Sequence, residues 1–335
     1  MADKIVPKLI GTIRRSLRPG VVKLRDFVQG RQAARKQLAE VKSVKSLVAA
    51  GHDPLHAAYL HGQNYLSVFG ELASCLSEFE TYRAVVAGAE ETYVPGWPPA
   101  SPVSVSFFTS WALLDLPFGD PNETVCSCAL EIGQAFGISD DLALTLEVMG
   151  ESAMGVYEYL GRHGGAADLR DIIDGQIYPR IVPSNYVGRP GELWYVRLMP
   201  PLNASFTYGV AFTSPYVLVN TTTADWLEFF ERQERVLPLS GTADDPAIRR
   251  RAILKQGPEP NYWNEDVFLA YHDAQDGAIA LCGIPDIPSS LPHAGREEGR
   301  VDHRSDHPGE HRQRHKLTPL PSLDATKDAN VTTVK

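Results

Sequence analysis

The segment MGVYEYLGRHGGAADLRDIIDGQIYPRIVPSNYVGRPGELWYVRLMPP, residues 154–201, sets the architecture of the chain. It consists of short runs rich in Val, Ile and Tyr, separated by Gly164-Gly165, Asp174-Gly175 and the glycines at 188 and 191. An Asp-Gly pair between two such runs favours a β-hairpin. Two further runs, TYGVAFT and PYVLVN, follow. Strands at this spacing predict a small antiparallel β-barrel, SH3-like or OB-like, at about 154–220.

Helical patterns flank the predicted barrel on both sides. Asp53 with Pro54 is typical of a helix start and opens a long helix to about residue 86. Ser139, followed by two aspartates, is typical of another helix start. After the barrel, segments 223–256 and 260–273 have helical character. The predicted class is therefore α+β, with a helical N-terminal region, a small barrel and a helical C-terminal cover.

Composition divides the chain into five parts. VPGWPPASP, residues 94–102, holds four prolines and cannot continue a helix. The tail after residue 293 has no aromatic side chain and few large apolar ones, which predicts disorder. The predicted parts are a basic helical arm at 1–50, a long-helix region at 51–93, a Pro-rich linker at 94–102, an α+β domain at 103–293 and a disordered tail at 294–335.

Charge is segregated along the chain. Residues 1–50 carry 12 Lys and Arg against three Asp and Glu, whereas residues 51–293 carry 12 against 31, a net charge of −19. Such a basic arm attracts nucleic acid or anionic lipid. Residues 4–45, with Arg14, Arg15 and Arg18, are the predicted contact. The alternative is that the arm docks on its own acidic body.

The pattern of the barrel segment resembles that of a broad set of uncharacterised bacterial proteins. In these, a Tyr-Glu strand leads into a Leu-Arg-Asp hairpin, and a Gly-acidic strand that carries an Arg ends near Pro. The matching residues here are Tyr157, Glu158, Leu169, Arg170, Asp171, Gly175, Gly191, Glu192, Arg197 and Pro200. The resemblance covers about 110–220 and implies a bacterial source and a fold, but no activity.

Four polar residues of the barrel segment are candidates for binding: Arg170, Asp171, Glu192 and Arg197. Either they line a binding groove, or they form cross-strand ion pairs on a solvent face. The sequence favours ion pairing, because alternating strands present polar residues to solvent in any case.

A catalytic alternative rests on Glu265, Asp266 and His272. Glu265 and His272 are two helical turns apart and share a face if 260–273 is a helix, and a carboxylate-histidine pair is sufficient for acid-base catalysis. No nucleophile motif accompanies them, and no phosphate-binding glycine loop, G-x-S-x-G or H-E-x-x-H motif is present. A packed helix is the favoured interpretation.

Neither a metal nor a cofactor is predicted. His52 and His56 lack a supporting carboxylate motif, and the four cysteines lack paired spacing. The four histidines of VDHRSDHPGEHRQRHK, residues 301–316, are interrupted by Pro308-Gly309, so they do not form one helical row.

The start of the chain lacks a secretory pattern and no run of about 18 apolar residues exists, so we expect a cytoplasmic protein without a transmembrane segment. The most favoured function is a non-enzymatic binding or adaptor protein that uses the barrel surface and the basic arm. The alternative is a hydrolase-type enzyme with a His272/Glu265 pair.

Overall fold

The structure is a computed structural model and describes residues 4–16, 41–74, 76–93, 102–119, 123–236, 245–256, 271–275, 278–284 and 286–290. Its α-helices are α1 (Ile5–Ser16), α2 (Val44–Ala49), α3 (Pro54–Ala73), α4 (Glu80–Tyr93), α5 (Pro102–Leu114), α6 (Val125–Phe136), α7 (Asp140–Glu151), α8 (Thr223–Val236) and α9 (Pro246–Gln256). Its strands are β1 (Ala153–His163), β2 (Ala166–Asp171), β3 (Ile177–Ile181), β4 (Leu193–Met199), β5 (Gly209–Ala211), β6 (Tyr216–Val219), β7 (Tyr271–Gln275) and β8 (Ala278–Cys282).

Five strands close into a barrel in the order β1-β2-β3-β5-β4, with β1 pairing back onto β4. β1 reaches both neighbours because a register shift between Tyr159 and Gly161 bends it, and Gly161 adopts a φ of 131°. The closing pair, β3 with β5, is parallel and spans two residues on each strand. An OB-like barrel is a partly open Greek key of five strands, which agrees with this short closure. The predicted α+β fold with a small barrel is confirmed.

β5 and β6 both run antiparallel to β4 and are separated by four residues. The break lies opposite Arg197, whose backbone N–H donates to the Thr213 hydroxyl at 3.0 Å. Beyond the break, β6 pairs in parallel with β8, which pairs with β7. The sheet therefore extends past the barrel on one side.

Two predicted helices differ from the observed structure. The long helix begins at Pro54 as expected, with Asp53 accepting the N–H of Leu55 at 2.8 Å, but it ends at Ala73. Ser74 donates its hydroxyl to the Glu71 carbonyl at 2.6 Å, and the chain continues through a 3₁₀ turn into α4.

The second difference concerns the last residues of the helix predicted over 260–273. The predicted helix over 260–273 is wrong at its end, because Tyr271–Gln275 forms strand β7. Pairing with β8 stabilises the extended backbone there, which the aromatic and polar sequence pattern did not reveal. The predicted short strand that follows is confirmed as β8.

Two apolar clusters hold the fold together. One lies within the barrel and includes Tyr159, Trp194, Val196 and Leu198. The other lies between the outer side of β4 and β6 and the helices. One wall of the barrel is therefore packed against helices, while exposed residues such as Arg162, Arg170 and Ile177 lie on β1, β2 and β3.

The N-terminal helix packs on the body of the protein. Ile5, Val6 and Leu9 are buried, and α1 contacts α6. The buried Glu123 accepts the N–H groups of Ile5 at 2.8 Å and Val6 at 3.0 Å. A carboxylate at the first amides of a helix satisfies donors that have no partner within the helix. Helix α1, which lies in the predicted basic arm, is therefore docked on the body, whereas residues 17–40 of the arm lie outside the described residues.

Within the described ranges, no helix is long and apolar enough to span a bilayer.

Candidate functional site

Arg170 lies on the solvent face of β2. Its Nη1 donates to Glu158 Oε2 at 3.3 Å, and the two residues are directly opposite each other on β2 and β1. Both side chains are partly exposed. Arg170 therefore forms a cross-strand ion pair, and its partner is Glu158.

Asp171, the next residue, is buried and organises the hairpin after β2. Its Oδ1 accepts the N–H of Ile173 at 2.7 Å, and its Oδ2 accepts from Arg251 Nη1 at 2.9 Å. The other terminal nitrogen of Arg251 donates to Asp174. Asp171 therefore connects helix α9 to the barrel.

Glu192 supports the loop between β3 and β4. Its Oε2 accepts from the Tyr186 hydroxyl at 3.0 Å and from Trp194 Nε1 at 3.2 Å. A Cβ added at Gly188 would lie 2.5 Å from the Trp194 ring, so the loop rests directly on that ring. Both hydrogen bonds of Glu192 therefore stabilise this loop and its contact with Trp194.

Arg197 is completely buried and does not pair with Glu192. Its Nη2 donates to Asp115, which follows α5, and its Nη1 donates to the carbonyl and hydroxyl oxygens of Ser152, each at 3.0 Å. Both side chains of the ion pair have zero exposure. The structure therefore does not bring the four sequence-predicted barrel residues together.

The other predicted residues fall in separate places. Arg14 and Arg15 are exposed on α1, whereas Arg18 lies outside the described residues. Glu265 and Asp266 also lie outside them, and His272 is in strand β7. Because a strand has a period of two residues, the helical face proposed for Glu265 and His272 does not extend to His272.

A further candidate binding site lies around Arg180 on β3, which was not among the residues predicted from the sequence. This side chain is 5% exposed. Its Nη1 donates to the carbonyl of the preceding Pro179 at 2.9 Å, while its buried Nε makes no hydrogen bond within the described part of the chain. Nη2 makes none either. One edge of the guanidinium is therefore unused.

Three tyrosines act on the pKa of this guanidinium, Tyr157, Tyr178 and Tyr59, and Tyr178 is in direct contact with it. The Arg180 Cζ lies 5.0 Å from the centroid of the Tyr178 ring, a cation–π distance. The ring of Tyr157 meets that of Tyr178 edge-on, at 6.5 Å between centroids. Tyr59, from α3, is fully buried and donates its hydroxyl to the Pro200 carbonyl. We call these three tyrosines and Arg180 the Arg180 site.

The electrostatics of the site are those of a cation with no acidic neighbour. Burial lowers the pKa of Arg180 from its ordinary value, and the groups that act against this are Tyr157, Tyr178 and Tyr59. Among the described residues, no carboxylate contributes to that pKa. Burial also raises the pKa of the Tyr157 hydroxyl, so it remains a neutral donor. A buried charge without a partner is costly, so Arg180 is an unusual feature.

Gly209 allows the guanidinium to lie where it does. It pairs with Arg180 across β5 and β3. A Cβ at position 209 would lie 2.8 Å from Arg180 Cζ and Nε, and 2.2 Å from the carbonyl oxygen of Met199. Only a residue without a side chain fits between these groups.

Two groups that catalytic sites often use can be examined among the described residues, a thiol and a metal centre. Burial raises the pKa of the Cys128 thiol to about 12, so this thiol is not an activated nucleophile. Within the described residues, no group of three or more His, Cys, Asp or Glu side chains is placed to hold a metal ion. What the Arg180 site offers is a hydrogen-bonding cation beside aromatic rings.

Comparison of the chain with protein-family models, with curated proteins and with solved structures finds no match.

Proposed function

We propose that the protein is a non-enzymatic binding protein, and that its barrel receives an anionic group of a ligand at the Arg180 site. The observation that carries this proposal is the buried guanidinium with one unused edge. Its Nε has no hydrogen-bond partner within the described residues. An unsatisfied buried donor costs about 1 to 3 kcal/mol, more when charged. An oxyanion that reaches this nitrogen recovers that cost. Because the Nε has no accessible surface in the structure, binding requires the side chains around the guanidinium to move.

The charges near the site support this assignment. Arg251 is the other arginine of this region, and it is held by Asp171 and Asp174. Both carboxylates therefore already have a cationic partner, although the two of them share one arginine. Arg180 has no such partner among the described residues, so an anionic group supplied by a ligand would complete its surroundings.

The solvent-exposed wall of the barrel is less suited to binding nucleic acid than the Arg180 site is to binding a single anionic group. OB-like barrels bind oligonucleotides along strands β2 and β3. Here Arg170 is paired with Glu158, and His163 lies 2.6 Å from Asp168. Because basic and acidic groups alternate on this wall, it has no excess of positive charge to attract a phosphate backbone.

The basic arm remains a second candidate for binding nucleic acid or anionic lipid. Arg14 and Arg15 are exposed, which favours electrostatic attraction. The apolar side of α1, with Ile5 and Leu9, is buried against the body. Insertion of α1 into a bilayer would therefore require it to leave its docked position. Replacing Arg14 and Arg15 by glutamine tests this attraction without removing the docked helix.

The proposal is tested by thermal unfolding of the full chain with sodium phosphate, sulfate and acetate at constant ionic strength. We expect at least one oxyanion to raise Tm in proportion to the logarithm of its concentration. Arg180→Met should abolish this rise. Arg170→Met is the matched control, because it removes an exposed arginine from the neighbouring strand.

The stability of the unliganded variant provides a second measurement. Replacing an unpaired buried charge by an apolar side chain should leave the free energy of unfolding unchanged or raise it. A loss of several kcal/mol in Arg180→Met, with no oxyanion affecting the original protein, would mean that the guanidinium is already satisfied within the chain. The proposal would then be rejected.

A further inference from the structure

The barrel is closed along two edges of very different length. Along one edge, residues 153–158 of β1 pair with residues 193–198 of β4. Along the other, β3 pairs with β5 only through Arg180 and Ile181, which lie opposite Gly209 and Val210. We call this short edge the seam. Parallel pairing is slightly less stable per residue than antiparallel pairing, so the seam is the weaker closure in both length and type.

The residue before the seam limits its extension. Pro179 has no backbone N–H, so β3 has one donor fewer for a neighbouring strand at this point. The Pro179 carbonyl accepts from Nη1 of Arg180 at 2.9 Å, which means that a side chain of β3 itself occupies this acceptor. Ile177, at the start of the strand, is exposed. The pairing of β3 with β5 therefore ends at Arg180.

Strand β5 is held more firmly on its other side. Beyond its pairing with β4, the backbone N–H of Phe212 donates to the Arg197 carbonyl at 2.8 Å, and the Arg197 N–H donates to the Thr213 hydroxyl at 3.0 Å. The chain before β5 is joined to the start of α3, because the Tyr208 hydroxyl donates to Asp53 at 2.8 Å. In a separation at the seam, β5 therefore stays with the body and β3 moves.

The β2–β3 hairpin is anchored at its turn and not at the seam. Arg251 donates to Asp171 and Asp174, which lie at that turn. The seam residues lie at the opposite end of β3. Strand β1, which carries the hairpin, has a register shift between Tyr159 and Gly161, and such a bulge bends a strand and interrupts its ladder. Movement of β3 at the seam therefore leaves the anchor at the turn in place.

The charge of Arg180 favours the separation. Its guanidinium is buried against Gly209, and its Nε has no hydrogen-bond partner within the described residues. When β3 moves away from β5, water reaches this nitrogen and removes the cost of an unsatisfied buried donor. The same movement uncovers the guanidinium.

We infer that the barrel opens locally at the seam, by separation of β3 from β5, and that this opening is the route by which an anion reaches Arg180. The route rests on the proposed function, whereas the opening does not.

Hydrogen exchange of the full chain, followed by mass spectrometry, tests the opening. Segments with low local stability exchange faster than the rest of a fold, so peptides that cover Ile181 and β5 should exchange about tenfold or more faster than those that cover the pairing of β1 with β4. Arg180→Met should slow exchange at the seam about tenfold, the change that corresponds to one unsatisfied buried donor. Arg170→Met, which removes an exposed arginine, is the matched control and should leave this exchange unchanged.

A reversible disulfide across the seam tests the route. Ile181 and Val210 lie opposite each other and pack in the same apolar cluster, at a strand spacing that a disulfide can bridge. In the variant Ile181→Cys with Val210→Cys, oxidation should slow exchange at the seam and abolish the rise of Tm with oxyanions. Reduction should restore both. The reduced protein is the matched control, and the two single variants control for the four natural cysteines.

The outcomes separate the hypotheses. If the oxidised variant responds to oxyanions as the reduced one does, although its exchange at the seam is slowed, the route is overturned and the opening stands. Equal protection along both edges of the barrel, or equal effects of Arg180→Met and Arg170→Met on exchange, overturns the opening. If no oxyanion raises the Tm of the original protein, the proposed function and the route fail together, and hydrogen exchange alone decides the opening.

Discussion

The buried ion pair between Asp115 and Arg197 should be among the most sensitive positions of the fold. Both side chains have zero exposure, and they connect the end of α5 to strand β4. Asp115→Asn removes one charge with little change in volume and leaves the guanidinium buried without its counter-charge. Breaking a buried pair in this way costs about 3 to 5 kcal/mol. That is a large part of the roughly 5 to 15 kcal/mol by which domains are stable.

A double-mutant cycle measured by urea unfolding checks the origin of this loss. Arg197→Met also removes donors that bind Ser152 at 3.0 Å, so it should be destabilising by itself. The double variant should be more stable than the sum of the single losses predicts, by about 2 kcal/mol or more, because neither charge then remains unpaired.

The cross-strand pair Glu158 and Arg170 is the matched control. Its side chains are 30% and 46% exposed. Because solvent screens such a pair, its coupling energy should be only about 0.2 to 1 kcal/mol. A loss below about 1 kcal/mol in Asp115→Asn, or equal coupling energies for the two pairs, would refute the reasoning from burial.

Two further predictions concern the N-terminal helix and acid stability. Glu123→Ala removes the acceptor of the Ile5 and Val6 amides, so amide exchange across α1 should accelerate about tenfold or more, while the barrel amides keep their protection; equal acceleration everywhere would contradict a local role. Burial, followed by the charge of a neighbouring histidine, lowers the pKa of His56 from 6.5 to about 4. Between pH 6.5 and 4, His56 is therefore protonated in the unfolded chain but mostly neutral in the folded one. The free energy of unfolding should fall by up to about 3 kcal/mol as the pH decreases through this range. Urea unfolding at several pH values should show this part of the loss missing in His56→Asn and retained in His163→Asn; identical pH profiles for the two variants would refute the assignment.

Local signals in the sequence were sufficient for most of the elements. The glycines at 164, 165 and 175 adopt positive φ values in the hairpin turns, as the turn chemistry predicted. Asp53 and Ser139 cap the helices that they were expected to open. These features depend on neighbouring residues only, because a cap or a tight turn is satisfied within a few positions of the chain.

The environment of charged residues required the tertiary structure. Arg170 and Arg197 look equivalent in their strands, yet one pairs with Glu158 at the surface and the other is buried with Asp115, 82 residues away. The early end of α3 involves a shorter-range contact, because the Arg83 side chain donates to the carbonyls of Ser74 and Leu76, nine and seven residues before it. Contacts between residues far apart in the chain produce no periodic pattern in the sequence.

Strand β3 shows most clearly which features the sequence determines and which the tertiary structure decides. Its period of two determines that Tyr178 and Arg180 share one face and that Ile177 and Ile181 share the other. Hydrophobicity alone favours the isoleucine face as the buried one. In the barrel, however, Ile177 is 53% exposed and Arg180 is 5% exposed. The sequence by itself determined the strands between residues 153 and 219, the glycine turns of their hairpins, and the helix starts at Asp53 and Ser139. Only closure of β3 onto β5, with Gly209 opposite Arg180, decided which face is buried, because barrel closure and not local polarity sets the direction of each side chain.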